Sequence, residues 1–83
     1  MTPAQRLGSR LRDARLAAGL TQRELSQRSG IRRQNLSRLE HGRSSTTHAD
    51  HALPRLDTLV TLARALGVPV SSLVCVLDEV PHG

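Results

Sequence analysis

The sequence predicts an all-α domain of five short helices, the last running into a stretch whose pattern fits a strand equally well. Three observations lead there. Leucine and alanine recur at helical spacing, glycines fall where such runs end, and helix-capping residues stand just ahead of where they begin. The 83 residues give room for one small domain spanning residues 1–83. A domain of that size buries only about 60–65% of the surface its unfolded chain exposes, so a second subunit would add margin.

Each element has its own signal. The first helix is expected over residues 3–18. Thr2 suits the N-cap and Pro3 the first helical position, and Leu7, Leu11, Ala14 and Ala18 form one stripe before Gly19 stops it. Thr21 caps a second helix of about eight residues, with Glu24 three positions on completing a capping box. Gly30 supplies a turn residue able to take positive φ. A third helix follows over roughly 32–40 and stops near Gly42. Residues 43–53 lack periodicity and read as an exposed loop. The fourth helix starts around Pro54, turns Leu56, Leu59, Val60, Ala63 and Leu66 inward, and ends at Gly67. Pro69 and Ser71 open the fifth, with Val70, Leu73, Val74 and Leu77 on one side. Over Leu73–Val80 the apolar run does not choose between helix and strand.

Composition narrows the function. Phe, Tyr and Trp are absent, so the chain lacks the aromatic rings on which single-stranded bases are usually stacked. All twelve basic residues are Arg, and ten of them lie in residues 1–43 against three acids, a net +7; residues 44–83 carry −2. A patch of that polarity attracts a polyanion with salt-dependent affinity, which favours duplex DNA. The single Cys75 excludes an internal disulfide and is expected as a small buried residue among its apolar neighbours. No apolar stretch approaches membrane-spanning length and no signal-type segment opens the chain, so a cytoplasmic protein is expected.

Residues 21–40 carry the chemistry. Leu25, Ile31, Leu36 and Leu39 are spaced so that two short helices around Gly30 bury one shared face. The other face of the second helix is left with Arg32, Arg33, Gln34, Asn35 and Arg38. Arg pairs in bidentate fashion with guanine, and Gln or Asn with adenine. A helix-turn-helix entering the DNA major groove has this layout.

The sequence resembles the lambda-repressor-like helix-turn-helix family, the Cro/repressor or XRE group, over roughly residues 6–77. The resemblance rests on Leu11 and Arg15, on Gly19-Leu20-Thr21-Gln22, Leu25-Ser26 and Gly30-Ile31, and on Leu36-Ser37-Arg38-Leu39-Glu40 with Gly42. Pro54, Leu56, Thr58-Leu59, Leu62-Ala63 and Leu66-Gly67-Val68 complete it. It implies a compact five-helix domain, usually dimeric on DNA. It also implies that Arg33, Gln34 and Arg38 face base edges and that Gln22 contacts a phosphate and buttresses a base contact. Asn35 and Ser37 would be supporting contacts, and Arg43 a phosphate- or minor-groove-facing cation. Arg15 and Glu40 match a pair that ties the first helix to the end of the recognition helix. Two departures stand out: Arg32 replaces the usual Ser or Thr that opens the recognition helix, and the connection from Gly42 to Pro54 is longer than usual. Arg32 weakens the cap and adds a cation near the phosphates.

The expected function is sequence-specific binding of double-stranded DNA by a transcriptional regulator, a repressor or autoregulator acting as a homodimer on a palindromic operator. Dimerisation is expected through residues 70–80, with Val70, Leu73, Val74, Val76, Leu77 and Val80 at the interface. An antitoxin that neutralises a toxin and controls its own operon would use the same domain, as would the controller of a restriction–modification system. His41, His48, Asp50 and His51 lack Cys partners and read as solvated residues, so no metal and no cofactor is expected. No nucleophile or phosphate-cradling loop accompanies them, so no enzyme is expected either.

Overall fold

The computed structural model describes residues 2–42 and 54–75, and within them five helices and no strand. They are α1 (Pro3–Ala17), α2 (Gln22–Ser29), α3 (Arg33–Glu40), α4 (Leu56–Leu66) and α5 (Val70–Val74). The expected loop 43–53, with Arg43, His48, Asp50 and His51, lies outside the described residues. So do Val76, Leu77 and Val80 of the expected dimer segment.

The helix starts follow from local chemistry. The Gln5 backbone N–H donates to Thr2 Oγ1 at 3.1 Å, while the Thr2 N–H donates to Gln5 Oε1 at 2.8 Å. The same reciprocal box closes α2: Glu24 N–H to Thr21 Oγ1 at 3.1 Å, and Thr21 N–H to Glu24 Oε1 at 3.0 Å. Each box satisfies two backbone donors that a helix start otherwise leaves open. α1 ends in a pair of bonds, Gly19 N–H to the Leu16 carbonyl and Leu20 N–H to the Arg15 carbonyl, and the chain is turned toward α2.

Leucine builds the core. Leu7, Leu11 and Ala14 of α1 meet Leu25 of α2, Leu36 of α3, Leu59, Leu62, Ala63 and Leu66 of α4, and Leu73 of α5. α1 packs on α3 and α5, α2 on α3 and α4, and α4 on α5. Each fully buried leucine contributes about 1.5–3 kcal/mol of transfer free energy, and five of them carry the packing that aromatic rings supply elsewhere. Arg10 adds a polar tie: its Nε donates to the Ser72 carbonyl at 2.8 Å and holds α1 to α5.

Several expectations change here. Leu56 is 69% exposed rather than inward, and Leu62, with none of its surface exposed, takes the central place in α4. The inward stripe therefore begins at Leu59 and runs through Leu62, Ala63 and Leu66, while Leu56, the first residue of α4, faces solvent. Ala18 caps α1 at the surface instead of extending its buried stripe. Cys75 is exposed just past α5, not buried. Leu73 is wholly inside the core and so is not available to a partner subunit; packing inside one chain already uses it. Val70 and Val74 are half-buried against that core, and Val74 is helical.

Candidate nucleic-acid interface

The turn between α2 and α3 is where the local sequence does most. Gly30 takes φ +74°, a conformation that side chains disfavour, and its N–H donates to the Ser26 carbonyl. Ser26 Oγ in turn donates to the Ile31 carbonyl, and the Ile31 N–H donates to Ser29 Oγ at 3.1 Å. With Leu25 and Leu36 buried behind it, the turn fixes α3 against α2.

α3 is held from its other end by a polar cluster. Arg15 grips Glu40 with two parallel bonds, Nε to Oε2 at 2.7 Å and Nη2 to Oε1 at 3.0 Å, and its Nη1 donates to the Leu20 carbonyl at 2.9 Å. Gln22 Nε2 donates to the same Glu40 Oε1 at 3.3 Å. One carboxylate thus joins α1, the start of α2 and the end of α3. The expected pair is present, and it is better shielded than a surface pair: the two side chains are only 10% and 4% exposed. Hydrogen bonding to Glu40 pushes Arg15 further above arginine's usual value, against the opposing effect of burial. Because a carboxylate only accepts, it is the Gln22 amide nitrogen that must face Glu40.

Close approach of the backbones completes the support. A β-carbon at Gly8 would run into the carbonyl oxygens of Leu39 and, at 2.7 Å, Glu40. Sequence reasoning missed this residue, since a glycine inside a helix reads only as a weak helix former. Its position one turn from both Ala4 and Leu11 on the buried stripe was the available signal.

This scaffold leaves Arg33, Gln34 and Arg38 exposed on α3, while Asn35 and Ser37 are half-buried at its sides. Arg32 stands exposed at the N-cap and makes no side-chain cap bond, as its replacement of Ser or Thr implied. Gln22 is half-buried at the edge of this face, in an open depression that Leu16, Thr21, Arg23 and Arg33 also line. Leu16, 54% exposed, puts an apolar surface beside Arg33 that the sequence reading did not single out. His41 extends the face by one more turn, with Nδ1 2.6 Å from the Ser37 carbonyl. Among the described residues no helix is long and apolar enough to cross a membrane.

A family profile described as a helix-turn-helix domain matches residues 6–73. The chain belongs to the helix-turn-helix family. The Cro/repressor-type resemblance carried by its motifs is thereby supported. Within the family, the chain is 43% identical to the uncharacterized HTH-type transcriptional regulator y4dJ of Sinorhizobium fredii, over 93% of this chain and 90% of that protein. Among solved structures it is similar to the restriction-modification controller protein C.AhdI from Aeromonas hydrophila, with TM-score 0.70, 30% identity, and coverage of 84% of this chain and 94% of that one. It is also similar to the clp gene regulator ClgR from C. glutamicum, with TM-score 0.75, 26% identity and 99% of both chains covered.

Proposed function

We infer that this helix-turn-helix protein is a sequence-specific, duplex-DNA-binding transcriptional regulator in which α3 enters the major groove. The exposed triad Arg33, Gln34 and Arg38, on a helix whose two ends are tied to the rest of the fold, is the observation that carries this reading. Arg33 and Arg38 would address guanine and Gln34 adenine. Arg32, Asn35, Ser37 and, past the helix, Arg43 would add backbone or supporting contacts. Gln22, held by Glu40, would steady the contacts made beside it. The names of the regulator from Sinorhizobium fredii and of the two structural relatives support a regulatory role. The cytoplasm, where bacterial DNA lies, is the expected site of action.

A single domain reads too few base pairs for useful genomic specificity, so the regulator is expected to act as a homodimer on a two-fold symmetric operator. Val70 and Val74, half-buried on α5, and the residues that follow are the surface for that pairing. The likeness to C.AhdI favours one particular second reading, control of a restriction–modification system; a toxin partner has no comparable support.

Selection of bound sites from a random duplex pool, followed by footprinting, tests the function. Replacing Arg33 or Arg38 by Ala should cost about 1–3 kcal/mol on the selected site and relax preference at one base pair. Equal losses on selected and random duplex would move that Arg to the phosphate backbone. An absence of any selected consensus would remove the sequence-specific reading.

A further inference from the structure

The exposed face of α3 does not stop at Arg38. His41 follows at the C-cap, exposed, with its Nδ1 against the Ser37 carbonyl oxygen. A carbonyl oxygen can only accept, so Nδ1 must carry the hydrogen whatever the charge on the ring. That fixes the ring's orientation and leaves Nε2 as its free position. Neutral, Nε2 offers a lone pair; protonated, it offers an N–H and a positive charge.

We propose that His41 is a proton-linked phosphate contact, taking a proton from solvent onto Nε2 when a DNA phosphate settles against the C-terminal end of α3. The proposal rests on the reading of α3 as the recognition helix. Residues near the start of such a helix address base edges. His41 lies roughly 12 Å further along the axis than Arg33, at 1.5 Å per residue, at the C-terminal end of the helix, the end that meets the DNA backbone in homeodomain-type recognition. A phosphate oxygen repels the lone pair of a neutral Nε2 and attracts an imidazolium N–H.

Charges of both signs stand near the ring. Arg38, one turn back on α3, opposes a second positive charge, while the open carbonyls at the end of α3 favour one. Glu40 is turned inward to Arg15. From α1, the Gln5 backbone lies close to the neighbouring Gly42 and is uncharged, and Arg6 stands next to Gln5. An arriving phosphate, with its full negative charge, is the larger influence. The consequence is binding that tightens as pH falls.

The test measures affinity for a selected duplex and for a random duplex by fluorescence anisotropy at fixed ionic strength, from pH 8 to pH 5.5. Wild type, His41→Gln and His41→Arg are compared, which separates His41 from the other three histidines of the chain. Wild type should bind both duplexes about threefold to tenfold more tightly at the low end, and its salt slope should steepen there by about 0.9. His41→Gln, with no ionisable group at that position, should give a profile that is flat across the range, and His41→Arg should bind at pH 8 as wild type does at pH 5.5. A carbon-labelled His41 ring, titrated by NMR in the wild-type protein, gives a readout that does not depend on any variant folding: its midpoint should move to higher pH when DNA is bound. A flat wild-type profile, a pH response that survives in His41→Gln, or a midpoint that DNA does not move would overturn the proposal and leave DNA binding standing. Failure of the wild type to bind any duplex would overturn the DNA-binding reading and this inference with it.

Discussion

α2 and α3 are neighbours of equal length, eight residues each, and they are held in opposite ways. α2 is closed by its own sequence, with a reciprocal capping box at Thr21 and Glu24 and a left-handed glycine at its end. α3 opens at Arg32 with no side-chain cap bond and no acidic residue in its first turn. It is placed from outside, by Leu36 in the core, by the grip of Arg15 on Glu40 and by the close approach of Gly8. On the proposed reading, α3 gives its opening residues Arg32, Arg33 and Gln34 to DNA, and its anchoring passes to tertiary contacts. The supporting helix has no such duty and keeps its caps.

The largest break in this comparison should come at Gly8. Gly8→Val drives side-chain atoms into the α3 backbone and should destabilise the protein by about 4 kcal/mol or more. Thermal unfolding followed by circular dichroism would show it as a melting temperature lowered by tens of degrees, since each kcal/mol is worth about 4–8 °C in a domain of this size. A near-wild-type melt would mean that α1 and α3 do not approach as closely as described.

Glu40→Ala should come next. It strands the Arg15 guanidinium beside a shielded cavity and frees Gln22, at a cost of about 3 kcal/mol, toward the value for broken buried pairs. Operator affinity should fall further than random-duplex affinity, because α3 loses its fixed orientation while its charges remain. In a double-mutant cycle with Arg15→Ala, the two losses should be strongly non-additive. Additive losses would mean two independent side chains.

Opposite signs are expected at the two helix starts. Thr21→Ala removes a working cap and should cost about 1 kcal/mol in urea unfolding, whereas Arg32→Ser supplies a missing one and should stabilise by about 0.5–1 kcal/mol. The stabilised Arg32→Ser protein should bind DNA less tightly, with a salt slope shallower by about 0.9 if Arg32 meets a phosphate. A gain in both stability and affinity would remove Arg32 from the interface.

The smallest effect is set by pH. Hydrogen bonds from the Thr21 backbone and with its side chain, aided by Arg28, hold the fully exposed Glu24 below the usual carboxylate value. Its stabilising contribution is therefore present above the ordinary Glu range and lost as pH falls through that range and below it. Glu24→Gln keeps a reciprocal cap and should flatten that part of the stability–pH curve, measured by urea unfolding at stepped pH. An unchanged curve would show that the box contributes nothing through its charge.

How far the fold could be read ahead follows the same division. Thr2, Thr21, Gly19 and Gly30 act within a few residues of themselves, so their spacing announces the boundaries of α1 and α2. The exposed triad was legible because Leu36 and Leu39 mark the face that turns away from it. The pairing of Arg15 with Glu40 was legible only through the family resemblance, and its shielding was not legible at all, since no local pattern says what covers a side chain. Leu56 was turned inward and Leu62 left out of the inward set for a related reason: both fit an apolar stripe, and only the positions of α2 and α5 decide which one is covered.

The sequence by itself determined where α1 and α2 begin and end, which side chains α3 can offer, and the concentration of positive charge in the N-terminal half. These are properties of spacing and of residue chemistry, complete within a turn or two of helix. Tertiary structure alone decided that Leu73 belongs to the core, that Cys75 faces solvent, that Gly8 admits the end of α3, and that one carboxylate at Glu40 gathers Arg15 and Gln22. Each of those depends on which atoms arrive from a distant part of the chain, and burial and hydrogen-bond partnership are properties of that arrival rather than of any local run of residues.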